Sequence, residues 1–328
     1  MSFSSRAKNE LCQITEQPFC CKKAELAALV QSGGTIHFGG KRKIALRVNT
    51  ANAGIARRVY LLLKEVYDIQ TEVMYRKNRR LRQGNNYFLV LANGRQVMDV
   101  LSDMGIIKGQ AEANTWISYT IDAGLIKKRC CKRAYLRGAF LGGGSVSDPE
   151  KIYHLEIVTH SEIYADSLRS LIESFDMPAK VIERKGNFVI YLKDGEHVAK
   201  FLNVIGAHSA LLDLENIRIY KDVRNNVNRI VNCETANLNK TINAAMRQIE
   251  NIQYLKDRYG LSKLSPPLKA VAKLRLSNPD ASLKELGEML DPPIGKSGVN
   301  HRLRKLDQIA DDIRSKSPHD TIVPKVEK

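Results

Sequence analysis

The chain has no long hydrophobic run. No stretch of its 328 residues approaches the ~20 consecutive apolar residues that a membrane-spanning helix requires. The first residues, MSFSSRAKNELCQITEQ, contain no apolar segment of the kind found in secretory signal peptides. We therefore expect a cytoplasmic protein. Apolar residues still make up 43% of the chain, which is enough to bury sizeable cores in two domains and argues against a disordered protein.

Metal-binding and nucleotide-binding motifs are also missing. The six cysteines are two adjacent pairs and two single residues: Cys20-Cys21, Cys130-Cys131, Cys12 and Cys233. None forms a C-x-x-C, so we expect no zinc site. Neighbouring residues on a helix point in different directions, which favours simple helix packing for each pair over a disulfide or redox centre. The stretches GTIHFGGKR, GGGSVS and GKS each miss part of a phosphate-binding pattern. The sequence therefore predicts no metal and no cofactor.

Acidic residues are too few to balance the basic ones. Lys and Arg number 52 against 35 Asp and Glu, which gives a formal net charge of +17. Such an excess predicts a polyanionic partner, with double-stranded DNA before an anionic membrane. No basic amphipathic helix with large exposed apolar residues is apparent, so we expect no membrane partner. We also expect no small-molecule substrate. A basic but inert surface is the alternative.

A repeat occupies the first two thirds of the chain. The segment CCKKAELAALVQSGGTI from Cys20 aligns without a gap with CCKRAYLRGAFLGGGSV from Cys130. Two further blocks follow in the same order in both copies, starting at Ile44 and Tyr153 and at Asn86 and Asn187. Each copy has a helical pattern ending in Gly-Gly, an alternating hairpin, a helix, a second hairpin and a helix. The repeat predicts an α+β fold with two αββαββα copies, whose antiparallel sheets have helices on one face.

The end of the first helix in each copy resembles the LAGLIDADG motif of single-chain homing endonucleases. LAALVQSGG from Leu26 and LRGAFLGGG from Leu136 occupy the motif positions. The resemblance implies that the two motif helices pack side by side and that each ends in a metal-binding carboxylate. Gly33 and Gly143 stand at those two positions, and Asp148 lies beyond the helix end. We therefore expect the scaffold of a nuclease without its catalytic residues, and no enzyme.

Helical periodicity replaces strand alternation after Asn225. The stretch NRIVNCETANLNKTINAAMRQIENIQYLKDRYG predicts a long helix or a helix pair. Three helical segments follow Pro267, and Ser282 and Glu285 form a capping box at the start of the second. The third has one apolar stripe, formed by Val299, Leu303, Leu306 and Ile309. This arrangement predicts a helix-turn-helix domain.

The last predicted helix carries the candidate DNA contacts. They are Lys296, Ser297, Asn300, His301, Arg302, Arg304 and Lys305. Arg304 and Asn300 are suited to bidentate contacts with guanine and adenine, and Arg302 and Lys305 to phosphate contacts. A possible secondary contact is the basic second hairpin of the first copy, with Arg76, Lys77, Arg79, Arg80 and Arg82. The alternatives are a solvated basic helix and a solvated hairpin tip.

The combination of a degenerate two-copy LAGLIDADG domain, a helical linker and SLKELGEML…SGVNHRLRKLDQIA resembles the WhiA family of bacterial regulators. The resemblance implies a nucleoid-associated protein of Gram-positive bacteria that acts in transcription regulation during development, or in the cell cycle through cell division and chromosome segregation. Other regulatory proteins are possible partners. The competing hypotheses are an active metal-dependent nuclease and a protein-interaction scaffold.

These patterns divide the chain into five expected parts. They are an N-terminal tail 1–18, a LAGLIDADG-like domain 19–224 with copies 19–107 and 129–207, a helical linker 225–260, a helix-turn-helix domain 261–315 and a C-terminal tail 316–328.

Overall fold

The computed structural model of the chain describes residues 1–39, 43–77, 85–108 and 116–316. The chain divides into two compact units, Met1–Asp222 and Val223–Lys328. The described strands all belong to the first unit, and the described part of the second unit is helical. The predicted α+β class, a duplicated domain followed by an all-helical one, is confirmed.

The expected N-terminal tail is instead a packed helix. Helix α1 (Phe3–Leu11) begins after Ser2, whose hydroxyl accepts a hydrogen bond from the Ser5 amide. Its buried residues Phe3, Ala7 and Leu11 are spaced four apart and form one apolar stripe that joins the core of the first unit. A nine-residue helix with a single short stripe is a weak sequence signal, and it becomes stable here through packing.

Both copies of the repeat contain the predicted succession of elements. The first copy consists of α2 (Phe19–Gly33), β1 (Gly34–Gly39), β2 (Lys43–Thr50), α3 (Ala53–Tyr67), β3 (Glu72–Lys77), β4 (Asn85–Leu91) and α4 (Gly94–Asp103). A two-stranded ribbon of β5 (Ile107–Lys108) and β6 (Trp116–Ile117) follows. The second copy consists of α5 (Arg129–Gly143), β7 (Gly144–Val146), β8 (Leu155–Thr159), α6 (Glu162–Glu173), β9 (Lys180–Arg184), β10 (Asn187–Leu192) and α7 (Gly195–Ile205).

The two four-stranded sheets have the same topology. Their strand orders are β1-β2-β4-β3 and β7-β8-β10-β9, and every pairing is antiparallel. Alternate residues of the inner strands, such as Leu46 in β2 and Ile157 in β8, are buried against the helices. The opposite face of each sheet carries the intervening residues, so the alternation in the sequence assigns each side chain to the correct face.

The second unit contains the predicted helical segments. They are most of the long helix α8 (His208–Arg258), a 3₁₀ turn Leu261–Lys263, and the helices α9 (Pro266–Ser277), α10 (Leu283–Glu288) and α11 (Lys296–Lys316). Helix α8 begins earlier than the linker expected from residue 225 and is a single helix. Its apolar residues Ile252 and Leu255 are buried, whereas Ile230 and Leu238 are exposed. Among the described residues, no helix is both long and apolar enough to cross a bilayer.

The two motif helices, α2 and α5, lie in close contact. A Cβ atom at Gly138 would collide with the carbonyl oxygen of Glu25, and one at Gly142 would lie 2.8 Å from the Cβ atom of Ser32. Glycine is therefore required at these places because the neighbouring helix occupies the space of a side chain. The predicted side-by-side packing of the motif helices is confirmed.

A buried carboxylate links the two copies. Glu25 of α2 is fully buried and accepts hydrogen bonds from Arg58 of α3, at 2.7 and 3.0 Å, and from Arg137 of α5, at 2.9 Å. Gln17 also donates to it, at 2.9 Å. Burial by itself would raise the pKa of Glu25, but the hydrogen bonds from Arg58 and the charges of both arginines hold it below its usual value. Arg137 also donates to the carbonyl oxygen of Ile205.

We predict that Glu25→Gln lowers the free energy of unfolding by about 3–5 kcal/mol, because it leaves two buried guanidinium groups without their counter-charge. Urea unfolding of the full chain measures this loss. The control is Glu65→Gln, since Glu65 is exposed and its ion pair with the half-buried Lys22 contributes at most about 1 kcal/mol. Equal effects of the two substitutions would contradict the role of Glu25.

The same site makes stability depend on pH. The pKa of folded Glu25 lies below the ordinary 4.5, so its contribution is present above that pH and is lost as the pH falls through the folded pKa. The Glu25→Gln variant should lack this part of the acid dependence when unfolding is measured across the same pH range.

Candidate nucleic-acid interface

The turn between α10 and α11 is held by short-range hydrogen bonds. The Glu285 amide donates to the Ser282 hydroxyl at 3.3 Å, and the Ser282 amide donates to the Glu285 carboxylate at 2.7 Å, which confirms the capping box. The Ile294 amide donates to the carbonyl oxygen of Gly287 at 3.0 Å. A side chain at Gly287 would collide with the carbonyl of Ile294. The turn therefore folds back onto α10 and fixes where α11 starts.

Helix α11 is anchored by its apolar stripe. Val299, Leu303 and Leu306 are fully buried, as predicted, and pack with residues of α8, α9 and α10. The last position of the stripe differs from the prediction, because Ala310 is fully buried and Ile309 is only half-buried. Since 3.6 residues make one turn, the stripe continues from Leu306 to Ala310.

The opposite face of α11 carries most of the predicted DNA contacts. Its exposed members are Lys296, Ser297, His301, Arg304 and Lys305, whereas Asn300 and Arg302 are half-buried. Within the part of the chain that the structure describes, none of these seven side chains forms a hydrogen bond or an ion pair. Their donors are therefore available to a partner molecule.

Asn300 lies at the flank of this face. Together with Lys296 it lines a groove of about 620 Å³ whose other walls are α8, around Ile242, and the segment around Ser282. The sequence placed Asn300 with the outward residues, but at 100° per residue it is near the edge of the buried stripe. Its side chain is therefore half-buried, at the wall of this groove.

The first carboxylate of α11, that of Asp307, is bound by residues of α8. Asp307 accepts a hydrogen bond from Asn251 of α8 at 2.7 Å and forms an ion pair with Arg247 at 3.4 Å. Further along the helix, Asp311 pairs with Arg314. Two of the three carboxylates of α11, those of Asp307 and Asp311, are thus paired, and residues 296–306 include no Asp or Glu.

A second basic surface lies on the sheet of the first copy. Arg76 is exposed on β3, opposite Asn86 of β4, on the face away from the helices. The side chain of Lys77 and residues Arg79, Arg80 and Arg82 lie outside the described residues.

Arg47 of β2 shares this face, although it is not among the predicted DNA contacts. Arg47 is half-buried, its guanidinium stacks over the ring of Phe88, 4.1 Å from the centroid, and its buried Nε atom has no hydrogen-bond partner among the described residues. The strand alternation, with Arg47 between the inward residues Leu46 and Val48, was the signal that could have identified it.

The corresponding face of the second sheet has a different charge. The repeat places Glu156 at the position of Arg47. Its carboxylate accepts a hydrogen bond from Ser145 at 3.1 Å and contacts His154 at 3.2 Å. The two sheets share a fold but present opposite charges at this position.

The C-terminal ends of the two motif helices carry glycines where the resembled nucleases have metal-binding carboxylates. A Cβ atom at Gly143 would lie 2.6 Å from the carbonyl oxygen of Val158, so no carboxylate could be placed there without a shift of the backbone. Lys8 of α1 donates to the carbonyl oxygen of Leu141 at 3.3 Å, and burial lowers the pKa of its ammonium group to about 8. The adjacent hollow of about 1010 Å³ is lined by Lys8 and Arg57 and, among its described residues, by no Asp or Glu. A cation of the protein itself thus lies beside the helix ends.

Comparison with known proteins gives three adjoining family matches. They are the WhiA N-terminal LAGLIDADG-like domain at residues 19–107, the WhiA LAGLIDADG-like domain at residues 132–224 and the WhiA C-terminal HTH domain at residues 227–310.

Curated relatives match over nearly the whole chain. The "Probable cell division protein WhiA" of Alkaliphilus metalliredigens is 58% identical over 317 residues, which are 97% of this chain and 100% of the relative. The protein of the same name from Clostridium acetobutylicum is 50% identical, over 96% of this chain and 99% of the relative. The crystal structure of full-length DUF199/WhiA from Thermotoga maritima is similar, with a TM-score of 0.56 and 26% identity over 95% of this chain and 99% of that one.

The two glycines at the motif ends should respond differently to substitution. Gly143→Ala should lower the free energy of unfolding by about 1–3 kcal/mol, because the added methyl group overpacks the site. Gly33→Ala is the matched control, since its nearest neighbour, the Gly142 Cα atom, is 3.8 Å from the new methyl group, and we expect no loss. Urea unfolding of both variants checks the prediction, which equal stabilities would contradict.

Proposed function

This chain belongs to the WhiA family, and on that premise we propose that it is a non-enzymatic, sequence-specific DNA-binding regulator. The carrying observation is the positively charged face of α11, whose basic side chains are exposed and whose nearest carboxylate, that of Asp307, is bound by Asn251 and Arg247 of α8. We further propose that the protein regulates transcription in connection with cell division and chromosome segregation, and that it acts at the nucleoid in the cytoplasm. Curated relatives of the chain are named for cell division.

The chemistry of the α11 face suits a duplex. In helix-turn-helix proteins, residues near the start of the second helix enter the major groove, and flanking residues contact the backbone. Ser297, His301 and Arg304 are exposed here, and each can donate to base edges. Because these side chains have no partners within the described part of the protein, binding to DNA would break no ion pair seen there.

Two kinds of contact follow from the positions on the helix. We assign base recognition mainly to Arg304, whose guanidinium can contact guanine O6 and N7, and phosphate contacts to Lys305 and the half-buried Arg302. We still propose that Asn300 contacts adenine. Because Asn300 lines the groove between α11 and α8, the base would have to reach it from that side of α11.

The proposed lack of catalysis is supported by the motif ends. Hydrolysis of DNA by the resembled nucleases requires carboxylates that hold divalent cations. Here Gly33 and Gly143 occupy those positions, Gly143 has no room for a side chain, and Lys8 brings positive charge to the neighbouring helix end. A cation would meet repulsion and find no side-chain ligand at these positions.

We predict that Arg304→Ala reduces specificity. Its affinity for the preferred site should fall by about 1–3 kcal/mol more than its affinity for random DNA, because alanine cannot form the bidentate hydrogen bonds to a base. The adjacent Lys305→Ala is the matched control and should weaken both complexes equally, since phosphate contacts do not depend on sequence. Both affinities are measured at one salt concentration, with a site selected by the wild-type protein from random duplexes. An unchanged ratio in Arg304→Ala would overturn the assignment.

The sheet of the first copy gives a further prediction. If Arg47 and Arg76 bind phosphates, the double substitution to alanine should reduce the slope of log K against log salt by about 0.9 for each phosphate that is no longer neutralised. Arg184→Ala is the matched control, because Arg184 occupies the position of Arg76 in the second copy, on the sheet that carries Glu156. A slope that is unchanged in the double variant would contradict phosphate binding by Arg47 and Arg76.

A further inference from the structure

The two cysteine pairs of the repeat come together in space. Cys20 and Cys21 lie in the first turn of α2, and Cys130 and Cys131 lie at the same positions of α5. The close packing of the two helices brings all four Sγ atoms within 4.8 Å of one another. Cys21 and Cys131 are buried, Cys20 is half-buried and Cys130 is exposed. All four are free thiols.

This spacing fits four ligands of one metal ion. Four sulfur atoms bound tetrahedrally to zinc at ~2.3 Å are separated by about 3.8 Å. Small rotations of the cysteine side chains would bring the observed set to that separation. Iron–sulfur clusters distribute their cysteines over several iron atoms and therefore need a wider set, so the compact arrangement favours a single ion.

The charge around the cluster suits thiolate ligands. Four thiolates and a divalent cation leave two negative charges, which need compensation. Helices α2 and α5 both point their N-termini at the cluster, and neither has a side-chain cap on its first amides. These amides and the positive ends of the helix dipoles stabilise negative charge. Basic residues also flank both pairs, namely Lys22, Lys23, Lys128, Arg129, Lys132 and Arg133.

We propose that Cys20, Cys21, Cys130 and Cys131 bind one Zn²⁺ ion between the N-termini of the two motif helices. Tetrahedral sites with four sulfur ligands are typical of zinc. The site lies about 18 Å from the glycine ends of the helices, at 1.5 Å per residue. The ion is structural, since four cysteines fill its coordination sphere, and it clamps the two copies together. This proposal does not depend on DNA binding.

The expectation of no zinc site rested on spacing along the chain. Each pair by itself offers two adjacent sulfurs, which is not a zinc motif. The duplication supplies the second pair, and only the pairing of α2 with α5 places it beside the first.

Metal analysis of the full chain tests the proposal. The protein is purified under reducing conditions and dialysed, and its metal content is measured by inductively coupled plasma mass spectrometry. We expect about one zinc per chain and a loss of most of it in Cys20→Ser/Cys130→Ser. Cys12→Ser/Cys233→Ser is the matched control, since both cysteines lie outside the cluster, and it should retain zinc. Iron in place of zinc, or zinc retained in the cluster variant, would overturn the proposal.

A second measurement does not depend on variants that could unfold. Zinc is removed from the wild-type protein with a chelator, and Co²⁺ is added to the reduced protein. Tetrahedral thiolate coordination should produce visible Co²⁺ absorption, and added Zn²⁺ should displace it and raise the thermal midpoint. No Co²⁺ signal from reduced protein would refute the site. So would two disulfides among these cysteines in protein whose thiols are alkylated at lysis.

Discussion

The first unit depends on the close approach of α2 and α5. Gly138 and Gly142 allow the two helices to touch backbone to backbone, because a side chain at either place would collide with α2. The contact aligns the helices along their length, so it also decides what meets at each end. The cysteine pairs meet at the N-terminal ends, and Gly33 and Gly142 meet at the C-terminal ends.

This contact also explains the buried charge. Glu25 lies where α2, α3 and α5 converge, and its carboxylate satisfies one guanidinium from each copy. Such a network is weak evidence for high stability, since desolvation offsets much of the attraction. It does make correct pairing of the copies specific, because any other arrangement would leave buried charges alone. We regard that specificity as its main contribution.

The positions of acidic groups shape the charged surfaces of both the duplicated domain and the helical unit. In the duplicated domain the two copies keep the same strand order, yet Arg47 and Glu156 give the same position opposite signs. The scaffold is thus symmetric and its surface is not. In the helical unit, Asn251 and Arg247 engage Asp307, which leaves the basic side chains of α11 unopposed. In both units, the surface proposed for DNA depends on where the acidic groups are placed.

Local patterns in the sequence determined the elements of this protein. Strand alternation predicted the hairpins of both copies, the capping box identified the start of α10, and the periodic stripe identified the buried face of α11. These features depend on neighbours within a few residues, so they can be read from the chain. The tertiary structure alone decided the burial of α1, the half-covered position of Asn300 and the meeting of the four cysteines. Those outcomes depend on contacts between segments far apart in sequence, which periodicity does not record.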